Sequence, residues 1–281
     1  MDAQLIDNNL RDVDIADQKI FDLLKKRASL AAQVGQLKQQ EKSIIYRPER
    51  EIKILKNVIG MNDSLLQDSD LVRIFYEIIN SCRAIQKKIK LSYFEDNELL
   101  RKVIKVQFGQ TVDVFLEETI DKTDFEFSCK ETEYFVISID FLKKSINYFL
   151  ERALDFFICQ EIEIFTKNSK NLTKENTRFL VLGRQKTSST GSDKTSLILE
   201  IPDCSGSLYN YLSVFHNYKI NLELISSCAC LSAERTSVFL IEIEGHRDDQ
   251  LVRLIFSELL IISAKITVLG SYPRAVLPIK I

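Results

Sequence analysis

The chain has 281 residues, 45% apolar and 28% charged, with only eight glycines and four prolines. This composition excludes a disordered polymer and leaves room for two or three compact domains. The net charge of -2 gives a nucleic-acid partner no electrostatic support, and no run of about 18 apolar residues is present to span a membrane.

The charge is unevenly spread. Residues 1–90 carry 16 Lys/Arg and 13 Asp/Glu, and the remainder 22 and 27. The positive excess at the front hints at a boundary near residue 90 and at anion binding before it. The opening stretch MDAQLIDNNLRDVDIAD is acidic and has no apolar centre, so no signal peptide is expected there. The cysteines are Cys82, Cys129, Cys159, Cys204, Cys228 and Cys230, spaced like neither a zinc knuckle nor a disulfide scaffold. With two histidines besides, no metal is expected, and a reducing cytoplasmic location is the simplest reading.

In chain order, residues 5–41 predict one long helix, with Leu5, Val13, Ile20, Leu23, Leu24, Leu30, Ala31, Val34 and Leu37 close to helical spacing. Such a helix, about 50 Å long, exceeds what a small monomer can cover and points to pairing with another chain. Pro48 suits the first turn of a second helix, and a third runs from about Asp70 to Lys88. Residues 91–183 then alternate. KLSYF, TVDVFLEE, YFVISID and NTRFLVLG read as strands, and NELLRKVIKVQFG and LKKSINYFLERALDFFI as helices, an α/β pattern. RQKTSSTGSD, residues 184–193, is a polar linker. Residues 194–275 give the βαββαβ order of a ferredoxin-like α+β domain, one sheet face under its helices and the other free to pair. The tail AVLPIKI has no assigned packing.

The first helix carries a geometric signal. Arg27 and Lys38 are 11 residues apart, about 20° from whole turns and ~16 Å along the axis, so both can reach one small dianion. Arg11 is turned about 160° from Arg27 and lies ~24 Å away. It can serve that site only from an antiparallel partner chain. Arg50 and Glu51 follow Pro48, while Cys82 and Gln86, four apart, share a face of the third helix. Such a set suits folding and electrostatic stabilisation of an anionic substrate without proton transfer. Taken singly, each cation, and Gln86 still more, reads better as a solvated side chain.

LRDVDIADQKIFDLLKKRASLAAQVGQLK, IYRPERE and IFYEIINSCRAIQ, in that order, resemble the all-helical chorismate mutase domain. They look most like the version at the front of the bifunctional chorismate mutase/prephenate dehydratase proteins. The resemblance covers about residues 5–90 and implies an intertwined three-helix dimer with two sites, acting on chorismate without a cofactor. By it, Arg11 of the partner chain and Arg27 hold the substrate carboxylates. Lys38 and Gln86 bond the ether oxygen, Glu51 holds the ring hydroxyl and Arg50 frames the site. Cys82 and Arg47 stand where one branch of the family has serine and aspartate.

GSLYNYLSVFHNYKINLELISS, EIEGHRDDQLVR and VLGSYPR resemble the ACT regulatory domain of the same proteins, which binds phenylalanine between subunits. Gly206, Leu208 and Leu212 match its loop and helix. Ser226, Ser227, Cys228 and Ala229 replace its Glu-Ser-Arg-Pro signature. The middle resembles the two-lobed prephenate dehydratase domain and keeps its Thr-Arg-Phe motif as Thr177, Arg178 and Phe179. Asp96 and Asn97 stand at a glycine–proline turn, and Asp140 and Phe141 replace a polar pair. About 11 residues remain between ICQEIEIF and NTRF, where the family has a whole second lobe. A single lobe cannot enclose the protonation that removes the hydroxyl as carbon dioxide leaves. The expectation is a homodimeric mutase with a truncated dehydratase lobe. Its rivals are the full bifunctional enzyme and a non-catalytic regulatory protein.

Overall fold

The computed structural model describes residues 2–41, 43–95, 97–117, 132–146, 156–167, 174–228, 236–262 and 264–280. Cys129, Ala229, Cys230 and Asp96 lie outside them, and Cys82, Cys159, Cys204 and Cys228 are free thiols.

Three helices open the chain: α1 (Asp2–Gln40), α2 (Pro48–Gly60) and α3 (Asp68–Gln86). Pro48 starts α2 where its missing N–H costs nothing, and Glu49 and Glu51 favour the positive end of the helix dipole. Ile52 and Leu55 of α2 close on Val72, Tyr76 and Ile79 of α3. The second half of α1 packs along α3, where Gly35 permits close approach. A Cβ there would lie 3.0 Å from the Cα, Cβ and Cγ of Gln86. The first half of α1 instead exposes Ile6, Leu10, Val13 and Ile20, which recur at intervals of three, four and seven.

The α/β unit follows: β1 (Lys90–Tyr93), α4 (Glu98–Phe108), β2 (Asp113–Leu116), β3 (Tyr134–Ser138), α5 (Ile139–Lys144), β4 (Phe157–Lys167) and β5 (Lys174–Gly183). Asn97 caps α4 by accepting the N–H of Leu99 at 2.8 Å. Ser138 caps α5 in the same way through Phe141 N–H at 3.0 Å, so the YFVISID strand ends at Ser138 and its last two residues turn into a helix. The helix expected over 142–158 is also corrected. Residues 147–155 lie outside those described, and Phe157 and Ile158 open β4 opposite Gly183 and Leu182 of β5. Cross-strand pairing, invisible to local periodicity, decides that end. The sheet runs β10-β4-β5-β3-β1-β2, where β10 is Ile279–Lys280, with β1 parallel to both β2 and β3, and β3, β5 and β4 antiparallel in turn.

The third unit is β6 (Asp193–Pro202), α6 (Ser207–Asn217), β7 (Leu222–Cys228), β8 (Thr236–Glu244), α7 (Gln250–Ile261) and β9 (Lys265–Pro273), in sheet order β7-β8-β6-β9. This is the ferredoxin-like order. Leu197 and Leu199 face α6 and α7, while Ile198 between them points to the opposite face.

That opposite face is not free, as the sequence led us to expect. Ile198, Leu240, Leu269 and Tyr272 pack on Phe135, Ile158, Leu180 and Leu182 of the middle sheet. A Cβ on Gly270 would stand 2.1 Å from the Ile158 carbonyl oxygen, so only glycine lets β9 and β4 meet this closely. Sheet-on-sheet packing removes both apolar faces from water. The polar linker is likewise held in place, since Gln185 donates to the Tyr46 carbonyl at 2.7 Å and accepts from the Tyr134 hydroxyl at 2.9 Å. The tail also docks. Val276 and Leu277 pack on the cluster between α2 and α3, and β10 (Ile279–Lys280) pairs with β4.

Candidate active site

A cavity of about 320 Å³ opens between the second half of α1 and the facing sides of α2 and α3. Helix α1 contributes Arg27 and Lys38, α2 contributes Arg50 and Glu51, and α3 contributes Cys82 and Gln86. Residues 59 positions apart are thus brought to one pocket by two helix turnarounds. Leu30, Val34, Ile54 and Ile79 supply apolar walls. Arg11 lies on the exposed first half of α1 and does not line this cavity within its own chain.

The polar groups are held with specific vacancies. Arg27 donates to the Ile78 carbonyl at 3.1 Å and Lys38 to the Ile45 carbonyl at 3.2 Å. Burial, then Arg47 and Arg50, lower the Lys38 pKa from its usual value. Glu51 is buried, and burial raises its pKa against the pull of Arg83. Its Oε1 accepts from Arg83 at 2.6 Å, while its Oε2 and the Oε1 of Gln86 have no hydrogen-bond partner among the described residues. Buried polar atoms without partners are costly and rare. Both are acceptors and would take a donor such as a guest's hydroxyl, while Arg27, Lys38 and Arg50 offer positive charge to its anionic groups. Arg47, also on the wall, is paired with Glu49 at 2.7 Å.

Two site residues escaped the sequence reading. The value of Arg83 depends on a carboxylate 32 positions away. Gly35 gave no turn or cap signal, because its purpose is the approach of α3. Its place three residues before Gln86, on the same side of the helix, was the available hint for Arg83.

The remaining candidate residues lie outside this cavity. Arg178 on β5 is gripped by Glu242 of β8 at 2.8 and 3.1 Å and by Glu161 of β4 at 2.9 Å, and Phe179 is wholly buried. The carboxylates hold the Arg178 cation firmly in its charged form. Thr177, partly buried, pairs through the backbone with Ile164. In the third unit, Gly206 takes a left-handed φ of 82° at the start of α6, and Leu208 and Leu212 pack on the helix-side core. Ser226 and Ser227 lie on β7, the edge strand of its sheet. Asp140 is exposed and paired with Lys143, and Phe141 stacks on Phe94 at 5.4 Å.

Residues 10–87 match the family chorismate mutase type II. A bifunctional chorismate mutase/prephenate dehydratase from Stutzerimonas stutzeri is 25% identical, over 94% of this chain and 96% of its own. The counterpart from Aquifex aeolicus is also 25% identical, over 95% and 97%. The first alignment runs over 352 positions, while 94% of 281 residues is about 264, so about 88 positions of the relative face a gap. The crystal structure of prephenate dehydratase from Streptococcus mutans, 23% identical with a TM-score of 0.50, shares its fold with 66% of this chain and 100% of its own.

Fold and pocket together define a helical mutase-type unit joined to a dehydratase-like α/β lobe and an ACT-like domain. The chain belongs to the bifunctional chorismate mutase/prephenate dehydratase family.

Proposed function

We propose that this protein rearranges chorismate to prephenate, a step toward phenylalanine, as a homodimer without a cofactor. The observation that carries this reading is the single cavity that gathers Arg27, Lys38, Arg50, Glu51, Cys82 and Gln86 from three helices. The extended dianion binds folded, with Arg27 on one carboxylate and Arg11 of the partner chain on the other. Arg50 frames the site. Lys38 and Gln86 donate to the ether oxygen as its carbon–oxygen bond breaks and charge grows there. Glu51 accepts the ring hydroxyl through its unpartnered Oε2. No proton moves, so no general acid or nucleophile is needed. The apolar stripe on the first half of α1 is covered by the second copy.

The dehydratase step is absent in this reading. β4 and β5 are consecutive antiparallel strands whose last paired residues are Lys167 and Lys174, which leaves six residues between them. The gap of about 88 aligned positions agrees with a missing lobe. Arg178 is committed to Glu242 and Glu161 rather than to a cleft.

The test is to incubate the full chain with chorismate and separate the products chromatographically at neutral pH, since acid alone converts prephenate to phenylpyruvate. Prephenate without phenylpyruvate is the expected result. Phenylpyruvate would restore the bifunctional reading. A folded dimer that consumes nothing would leave a regulatory protein.

A further inference from the structure

Arg83 is only 3% exposed. One arm of its guanidinium donates to Glu51 Oε1 at 2.6 Å. The other donates to Asn80 Oδ1 and to the Gln107 carbonyl at 3.2 Å. Its plane lies against the rings of Tyr46 and Phe108, 5.0 and 5.3 Å from their centroids. Two of these partners, Gln107 and Phe108, belong to α4 of the α/β lobe. The last carbonyls of a helix lack partners and form its negative end, so a cation fits there. Asn80 supports the same junction by donating to the Val106 carbonyl at 3.2 Å.

We propose that Arg83 is a positioning residue of the mutase site: it pins one oxygen of Glu51 so that the other faces the substrate, and it is itself held by the end of α4. The inference rests on the mutase reading and extends it. The truncated lobe then has a present use, as the rigid back wall of a pocket on another unit. A rigid fork is required, because the guanidinium must reach a carboxylate and a carbonyl at once. The other ionisable groups around Glu51 are Lys38 on α1, Glu49 on its own helix, Tyr76 on α3, Tyr46 between α1 and α2, and Cys159 on β4. None of them makes a recorded hydrogen bond to it among the described residues.

The experiment is a carbon-13 NMR titration of glutamate carboxyls in the full chain, with Glu51 assigned by loss of its signal in E51Q. Wild type is compared with R83M, R83K and F108L, alongside kcat/KM for chorismate against pH. In R83M, Glu51 should titrate at least about one pH unit higher, as expected when a close opposite charge is removed, and kcat/KM should fall at least tenfold. R83K should restore the titration in part but not the turnover. F108L, which trims only the lobe's side of the contact, should shift Glu51 upward by less. Unchanged Glu51 titration in R83M, or wild-type turnover in R83K, overturns the positioning role, and an unmoved F108L overturns the lobe's share. If R83M does not fold, R83K and F108L still decide the matter. Wild type that leaves chorismate untouched would sink the mutase reading instead, while the titration would still judge whether Arg83 governs Glu51.

Discussion

Lys38 and Gln86 illustrate how little the identity of a residue says before its surroundings are known. Lys38 is an ordinary surface lysine in composition, but burial and two arginines lower its pKa. Rate and stability therefore respond to it in opposite directions. Lys38→Ala and Gln86→Ala should each lower kcat by about 100-fold or more, the usual cost of losing one donor to developing charge, with the far-ultraviolet circular dichroism unchanged. Near-normal turnover in either variant would remove that residue from the ether oxygen. Because the folded pKa of Lys38 lies below its unfolded value, its contribution to stability is present above the unfolded pKa and is lost as pH falls through the folded one. At neutral pH the charged lysine thus costs stability, and Lys38→Met should melt at a higher temperature than wild type. The gap should close as pH rises toward the lysine range. The alkaline limb of wild-type kcat/KM should fall earlier than an unperturbed lysine would allow, since only the protonated amine can donate.

At the scale of elements, the site depends on how closely α1 and α3 approach. Gly35 allows it, and an alanine there would press its Cβ to 3.0 Å from Gln86. Alanine also favours a helix over glycine by about 1 kcal/mol, which offsets the crowding in stability. Gly35→Ala should therefore leave the melting temperature nearly unchanged and lower kcat, because Gln86 is displaced by a few tenths of an ångström. Equal kcat would show that Gln86 tolerates that shift. The strands teach a related lesson. Gly270 and Ile158 meet across two sheets, so what reads locally as an edge of an independent domain is a packed interior. Arg178 joins the two sheets there through its ion pairs with Glu161 and Glu242, while Phe179 packs on the middle sheet's other face.

At the scale of the whole molecule, the exposed half of α1 and the stranded Arg11 require a second chain if the mutase reading holds. Each site would then be built from Arg11 of one protomer and Arg27 of the other. Mixing Arg11→Ala with Arg27→Ala should restore activity, because one site in each mixed dimer has both arginines intact. Up to about a quarter of wild-type turnover follows from random exchange of symmetric C2 dimers. No recovery despite subunit exchange shown by mass spectrometry would place both residues in the same protomer's site or in none.

What the sequence determined by itself follows from short-range physics. The long helix, the Pro48 start of α2, the common face of Arg27 and Lys38 and the βαββαβ order of the third unit all rest on periodicities that the chain writes locally. The inward turn of Glu51 and Gln86 toward those cations entered by family resemblance. Tertiary structure decided the rest. The start of β4 was set by pairing with β5, and the second face of the ferredoxin-like sheet by the middle sheet. The tail found its place on α2 and α3, and Arg83 gained its meaning from Glu51 on one side and the end of α4 on the other. Each of these depends on contacts between residues far apart in the chain. No local pattern encodes them, because their energy exists only once both surfaces have left water together.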